Sequence, residues 1–163
     1  MLPRHGPIRA IYTPEIFIFG VAFLLNLVWE SLHAPLFIFK EQSSSWSALT
    51  ACLLFCAGVD AVMMVSIHWV VALIRQDRSW FFRGKRVDKV LLALTALTLA
   101  FASEYAAVHY RNLWRYSERM PLIPIAQIGL APMLQWVILP TVIFAIIGKF
   151  GIPKQTEGEL AHE

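Results

Sequence analysis

The sequence predicts an all-α, polytopic membrane protein in which four transmembrane helices form one bundle with both termini in the cytoplasm. Apolar residues make up 58% of the 163 residues and charged residues 15%, whereas a soluble domain has ~45–50% apolar and ~25% charged residues. Four apolar runs reach the ~20 residues that cross a bilayer. The basic residues are concentrated between those runs, which indicates membrane topology rather than nucleic-acid binding.

Polar or helix-breaking residues delimit each of the four predicted spans. The predicted spans cover about residues 14–37, 46–74, 88–110 and 128–150. Pro14 suits the first turn of a helix, and Pro140 inside the fourth run predicts a kink. We expect a single membrane domain, 1–163, whose other parts are a basic linker at 75–87, an Arg/aromatic loop at 111–127 and a polar tail at 151–163.

The distribution of Lys and Arg predicts the orientation of the chain. Ten of the 14 basic residues lie on the side of the two termini and the basic linker. This side is therefore expected to be cytoplasmic, and the loop at 111–127 is expected to face outward. Three arginines in that loop lie on the side where Lys and Arg are normally rare, and we expect them to pair with acids or bind anionic head groups: Arg111, Arg115 and Arg119. The linker holds three aromatic residues expected to anchor it on anionic lipid: Trp80, Phe81 and Phe82.

Three acidic residues fall inside predicted spans: Glu30, Asp60 and Glu104. A charged side chain in the membrane costs ~2.5–3.5 kcal/mol on insertion scales, so it usually faces the interior or a cavity. On the first helix, Asn26, Glu30 and His33 are spaced i, i+4 and i+7 and share one face. All three lie in the outer half of that helix, whereas Asp60 lies deeper, near the middle of the second.

Polar residues of the third and fourth helices fall at the same outer level. Glu104 and Arg111 are seven residues apart on one face, and Tyr105 pairs with His109 at i, i+4. We therefore predict one polar site under the outer loop, with Glu30, Glu104 and Asp60 as candidate catalytic acids. The candidate substrate-binding residues are Asn26, His33, His109, Arg111, Trp114, Tyr116 and Gln135.

Two patterns resemble metal sites but do not predict one. Glu30 and His33 form the E-x-x-H pair of di-iron bundles, yet Glu104 and His109 are five residues apart and give no second copy. The second helix carries a stripe of residues at every fourth position: Cys52, Cys56, Asp60, Met64 and His68. The stripe spans ~24 Å, too long for one metal, and Cys and Met are ordinary packing residues. We expect no metal ligands, and the sequence identifies no cofactor.

Four runs resemble a group of small four-helix bacterial inner-membrane proteins whose activity is uncharacterised: NLVWESLHAPLF, AGVDAVMM, SEYAAVHYRNLWRYSERMPLIP and GLAPMLQWVILP. The resemblance covers most of the chain from 26 to 140. It implies the four-helix topology, a multi-pass location in a bacterial inner membrane and the importance of the polar residues in these runs. It implies no activity.

The leading hypothesis is a site that binds or acts on an amphiphilic molecule with a lipid-, isoprenoid- or quinone-like head group. An arginine of the outer loop would hold a phosphate or carboxylate. Glu30 or Glu104 would act as a general acid or base, with Asn26 and His33 orienting Glu30. The sequence does not decide whether the protein is an enzyme.

Several alternatives stay open at this point. The polar residues could form a structural network that only fixes helix register. His33 and His109 could be paired metal or haem ligands. The protein could be a non-catalytic accessory or assembly subunit with a larger membrane partner, or a homo-oligomer, or an ion-coupled transporter that uses Asp60. The lipid bilayer is the expected environment, and no nucleic-acid partner is expected.

Overall fold

Four long α-helices make up most of the described chain. The computed structural model of the protein describes residues 14–39, 46–83 and 85–150, so the predicted polar tail at 151–163 lies outside the described residues. The helices are α1 (Pro14–His33), α2 (Trp46–Arg75), the short α3 (Trp80–Arg83), α4 (Arg86–Tyr105) and α5 (Leu130–Phe150). A 3₁₀ turn (Ala34–Leu36) follows α1 and a π-helical turn (Ala106–Tyr110) follows α4. With these extensions, four helices are long and apolar enough to cross a membrane, as predicted.

The long helices pack side by side. Helix α1 packs against α2 and α5, and α4 packs against the same two helices. Ala22, Ala61 and Ala96 are fully buried at these contacts, where small side chains let helices approach closely. Many large apolar side chains face outward instead, among them Leu24 at 63% and Leu94 at 59% exposure. Such a surface suits contact with lipid.

The end of the packed helices that carries α3 is called the linker end below. Helix α2 stops there at Arg75 because Gln76 adopts a left-handed conformation with φ 49°. The Gln76 amide donates to the Leu73 carbonyl at 3.3 Å and the Asp77 amide to the Ala72 carbonyl at 3.0 Å, which is the Schellman pattern of a helix C-terminus. The chain then turns back toward the helices and forms α3.

Helix α3 inserts aromatic side chains between the long helices. Trp80 and Phe81 are only 2% and 8% exposed. Their ring centroids lie 4.9 and 5.8 Å from that of Phe144 on α5, and the Trp80 indole donates to the His68 carbonyl at 3.3 Å. The prediction that Trp80 and Phe81 anchor the linker on lipid is therefore wrong, because these rings pack inside the protein.

Three arginine–carboxylate pairs fix the linker end. Arg78 donates to both oxygens of Glu15, at 2.8 and 2.6 Å. Two further pairs join Arg75 Nε to Asp88 Oδ1 at 2.7 Å and Arg83 Nε to Asp77 Oδ2 at 3.1 Å. The first two pairs tie α1 and α4 to residues at or just after the end of α2.

The opposite end, called the loop end, carries two short antiparallel strand pairs in place of an irregular loop. Strand β1 (Phe37–Phe39) pairs with β2 (Trp114–Tyr116), and β3 (Leu122–Ile123) pairs with β4 (Ile128–Gly129). Phe37 lies opposite Tyr116 in the first pair, and its ring centroid is 5.7 Å from the Tyr116 ring and 6.0 Å from the Trp114 ring. This pairing brings β2 back over the end of α4.

Candidate functional site

A cavity of about 350 Å³ lies at the loop end, between the four long helices and the β1–β2 pair. This volume is at the lower end of the ~300–1,000 Å³ of small-molecule pockets. Its polar lining residues include Glu30, His33, Asp60, Ser103, Glu104, Arg111 and Gln135. The rest of the lining is mainly apolar and aromatic and includes Phe37, Phe55, Met63, Trp114, Pro132 and Trp136. The site therefore combines an apolar enclosure with a small set of acidic groups.

Gln135 connects three helices on one side of the cavity. Its Nε2 donates to Asn26 Oδ1 at 2.8 Å and to Asp60 Oδ2 at 2.7 Å, and Glu30 Oε1 lies 3.4 Å away. Since an amide nitrogen carries two hydrogens, the two short contacts are the full hydrogen bonds and the third is weaker. Gln135 is 2% exposed and Asn26 1%, so this network fixes the positions of both Asp60 and Glu30.

His33 holds the second oxygen of Glu30. The Nε2 atom of His33 lies 3.1 Å from Glu30 Oε2, whereas its Nδ1 is buried without a hydrogen-bond partner among the described residues. We assign the hydrogen to Nε2, which donates to Glu30. The expectation that His33 orients Glu30 agrees with this geometry. No hydrogen bond joins Asn26 to Glu30 among the described residues, and Asn26 Oδ1 instead accepts from Gln135.

Two residues of β2 hold Glu104 on the other side of the cavity. The Tyr116 hydroxyl donates to Glu104 Oε1 at 2.6 Å, and the Trp114 indole donates to the same oxygen at 3.3 Å. Burial and the hydrogen bond to Glu104 raise the pKa of Tyr116 above its ordinary value, so the phenol stays a protonated donor at neutral pH. Arg111, the predicted counter-charge, lines the cavity but forms no ion pair with Glu104 in the described structure.

Gly129 allows the Tyr116 ring to reach this position. A Cβ atom at residue 129 would lie 3.0 Å from Tyr116 Cε1 and 3.0 Å from Met120 Sδ. Glycine therefore permits the β4 backbone to approach the ring at a distance that a side chain would prevent. No pattern in the sequence indicates this contact, because it joins segments that meet only after the strands pair.

The donors around the three carboxyl groups are mostly uncharged. They are the Gln135 amide, the Tyr116 hydroxyl and the Trp114 indole, together with the His33 imidazole. Within residues 14–39, 46–83 and 85–150, no lysine or arginine forms an ion pair with Glu30, Asp60 or Glu104. The lining is therefore rich in hydrogen-bond acceptors. It can bind donors such as hydroxyl or ammonium groups, and it can exchange protons with a bound molecule.

The structure brings most of the predicted residues to one place, with one exception. Seven of them line the cavity: Glu30, His33, Asp60, Glu104, Arg111, Trp114 and Gln135. Asn26 and Tyr116 do not line it but form hydrogen bonds with residues that do. His109 is exposed, and its Nε2 lies 3.1 Å from the Ala126 carbonyl oxygen outside the cavity. The predicted i, i+4 pair of Tyr105 and His109 is present, with ring centroids 4.4 Å apart, but neither residue lines the cavity. We therefore remove His109 from the candidate site.

Several lining residues were not singled out from the sequence. Cys56 precedes Asp60 by one helical turn and was assigned to packing. Met63, Trp136 and Phe37 also line the cavity. Trp136 is adjacent to Gln135, which is the only signal in the sequence that points to it. Phe37 reaches the site through its strand pairing, which sequence periodicity does not reveal.

The geometry does not favour a metal or haem site. Among the residues that the structure describes, no group of three or more His, Cys, Asp or Glu side chains is arranged to hold a metal ion. The two histidines considered as paired ligands do not converge, since His33 lies in the cavity and His109 lies outside it.

The chain matches no protein-family model, and no curated protein and no solved structure shows a significant match to it.

Proposed function

We propose that this is a multi-pass protein of the bacterial inner membrane, with both termini in the cytoplasm, whose cavity binds an amphiphilic molecule. The molecule would be lipid-, isoprenoid- or quinone-like, with its polar end against Glu30, Asp60 and Glu104. One observation carries the proposal, namely that three carboxyl groups from three helices line a single cavity that is otherwise mainly apolar. Pockets of this type, apolar with a few converging polar groups, are typical of small-molecule sites.

The free-energy cost of placing carboxyl groups inside membrane spans supports a functional role for the three acids. A carboxyl group within a membrane span is expensive to insert and usually marks a functional site. A polar network that only fixed helix register would need no more than the hydrogen bond between Gln135 on α5 and Asn26 on α1. Asp60 and Glu104 add two acids on α2 and α4 at the same cavity, which register alone does not require.

The chemistry of the lining favours a ligand that donates hydrogen bonds. Both described hydrogen bonds to Glu104 fall on Oε1, so its second oxygen is available to a ligand. A hydroxyl or ammonium group fits such acceptors better than an anion does. Arg111 is the lining residue suited to a phosphate or carboxylate, and it lies on an exposed part of the lining. A ligand anion would therefore be held at Arg111, away from the three acids.

A catalytic step on the bound molecule is a second candidate function. The Glu30–His33 pair, with 3.1 Å between Nε2 and Oε2, supports it. A carboxyl group held by an imidazole at the edge of an apolar cavity is suited to general acid–base catalysis. The same cavity would serve, so binding of the amphiphile is the property to test first.

The test is the small-molecule content of the purified protein. The wild-type protein and the variants Asp60→Asn and Glu104→Gln are purified in a mild detergent, extracted with organic solvent and analysed by mass spectrometry. We expect the wild-type protein to retain one amphiphile and both variants to lose most of it. Glu118→Gln is the matched control because Glu118 is exposed and does not line the cavity. It should retain the ligand.

Two results would contradict the proposal. One is a wild-type protein that enriches no small molecule over the surrounding lipid. The other is equal retention in the wild-type protein and in both cavity variants. Stable co-purification of a larger membrane protein, unaffected by either substitution, would instead support the alternative of an accessory subunit.

A further inference from the structure

The exposed lining residues of the cavity are not distributed evenly. Phe55 and Val59 on α2 are 72% and 43% exposed although both line the cavity. Ser103 on α4 is also exposed and lines it. On the side of α1 and α5, by contrast, His33 and Gln135 are 7% and 2% exposed. The cavity therefore reaches the protein surface along the contact between α2 and α4.

The opening lies within the parts of the chain that can cross a membrane. Phe55 and Val59 belong to the candidate span Trp46–Arg75, and Ser103 belongs to the candidate span Arg86–Tyr110. The side chains at this opening are apolar or small, and none of the three is charged. In the proposed membrane orientation, an opening at this position would face the hydrocarbon of the bilayer rather than water.

The rest of the cavity is covered except near Arg111 and Leu113, which are exposed lining residues at the loop end. Phe37 and Trp114 of the β1–β2 pair lie over the loop end, with ring centroids 6.0 Å apart. Toward the linker end, the rings of Trp80, Phe144 and His68 pack against one another and fill the space between the helices. Of these two exposed parts of the lining, the one between α2 and α4 lies within the candidate spans, and it is therefore the route suited to an amphiphile.

We infer that the ligand enters sideways from the bilayer through the seam formed by Phe55, Val59 and Ser103, and that its apolar chain stays in the membrane while its polar end meets the carboxyl groups. This inference rests on the proposed function. The volume agrees with it, because about 350 Å³ is at the small end for a ligand site and suits a head group with the first part of a chain. The ligand class is therefore a membrane-borne amphiphile and not a water-soluble metabolite.

Photolabelling of the protein in lipid vesicles tests the route of entry. Two carbene-generating diazirine probes are compared, one carried on a single-chain lipid alcohol and one fully water-soluble, and adducts are located by peptide mass spectrometry. Trp136 reports on the cavity because it lines it and is 5% exposed. Leu24 on α1, which is 63% exposed and outside the cavity, reports on general contact with lipid.

Ser103→Trp is designed to block the seam, with Ala102→Trp as its matched control. Residue 102 is the adjacent exposed position on α4 and does not line the cavity. We expect the lipid probe to label Trp136 in the wild-type protein and in Ala102→Trp, and Ser103→Trp to lose most of that labelling while Leu24 is labelled equally in all three. If Ser103→Trp elutes as an aggregate, Val59→Trp blocks the seam from α2, with Val62→Trp as its control.

The inference is overturned if Trp136 is labelled by the water-soluble probe and the seam variants leave this unchanged. It is equally overturned if neither probe reaches Trp136. These outcomes are separable from failure of the proposed function, because labelling needs no natural ligand. A protein that retains its amphiphile but is labelled only from water keeps the binding site and loses the lateral route.

Discussion

The two ends of the molecule both contain shielded acids and a buried histidine, but they satisfy the acids in different ways. At the linker end each acid has an arginine, namely Arg78 for Glu15, Arg75 for Asp88 and Arg83 for Asp77. At the loop end the acids Glu30, Asp60 and Glu104 rely on an amide, a phenol, an indole and an imidazole. Among the described residues, arginines pair with the acids of the linker end, and none forms an ion pair with the three acids of the loop end.

The two ends also differ in how they fill space. His68 at the linker end is fully buried, with its ring centroid 6.0 Å from Trp80, 5.5 Å from Phe81 and 6.3 Å from Phe144. His33 at the loop end lines a cavity of about 350 Å³. The linker end is therefore closely packed, and Asp88 and Glu15 each have an arginine beside them. Acids without arginines beside a cavity are typical of a site kept for function at some cost in stability.

The largest expected loss of stability comes from removing a buried aromatic ring at the linker end. Trp80→Ala removes an indole that is 2% exposed and should lower the free energy of unfolding by about 3–5 kcal/mol. Reversible unfolding in mixed micelles, followed by circular dichroism, measures it. Trp46→Ala is the control, since Trp46 is 85% exposed and its loss should change little. Equal effects of the two substitutions would show that α3 is not part of the packed core.

The next effect comes from separating an ion pair at the same end. Arg75→Gln leaves Asp88, which is 2% exposed, without its cationic partner. We expect a loss of about 2–3 kcal/mol in unfolding free energy, because an unpaired buried carboxylate is strongly destabilising. Arg86→Gln, at an exposed position on α4, should stay close to wild type. A similar result for both would mean that the 2.7 Å pair contributes nothing to stability.

A smaller effect is expected at the loop end when Glu104 loses a donor. Tyr116→Phe removes the hydroxyl that lies 2.6 Å from Glu104 Oε1, and one hydrogen bond to a carboxylate contributes about 1.5–3 kcal/mol. We expect a loss near the lower value, since Trp114 still donates to that oxygen, together with weaker retention of the amphiphile. Tyr110→Phe, at a residue 76% exposed, should change neither quantity. Unchanged ligand retention in Tyr116→Phe would remove Glu104 from the binding site.

The sequence predicted the long helices because apolar runs of spanning length need no tertiary information. Composition likewise singled out Glu30, Asp60 and Glu104, since acids in such runs are costly wherever they point. What it missed depends on contacts between distant segments. Tyr116 was named as a candidate, but its hydrogen bond to Glu104 depends on the pairing of β1 with β2. Trp80 is buried because α3 turns back between the helices.

His109 shows that a shared level along the helices does not place a side chain in the cavity. The predicted i, i+4 pair of Tyr105 and His109 is present, with ring centroids 4.4 Å apart. Neither residue lines the cavity, and His109 Nε2 lies 3.1 Å from the Ala126 carbonyl oxygen. Which face of α4 meets the cavity depends on how the helices pack, and the sequence does not give that.

One matched pair of substitutions tests the contrast between the two ends most directly. Asp60→Asn and Asp88→Asn make the same chemical change at the loop end and the linker end, and the unfolding free energy of each is measured in the same micelles. In Asp60→Asn the new amide oxygen can still accept from Gln135, whose bond to Asp60 is 2.7 Å, and the substitution removes an acid from within a span. We predict that Asp60→Asn leaves stability within about 0.5 kcal/mol of wild type or raises it, whereas Asp88→Asn lowers it by about 1–3 kcal/mol. A loss in Asp60→Asn as large as that in Asp88→Asn would mean that the loop-end acids are structural, which contradicts the account.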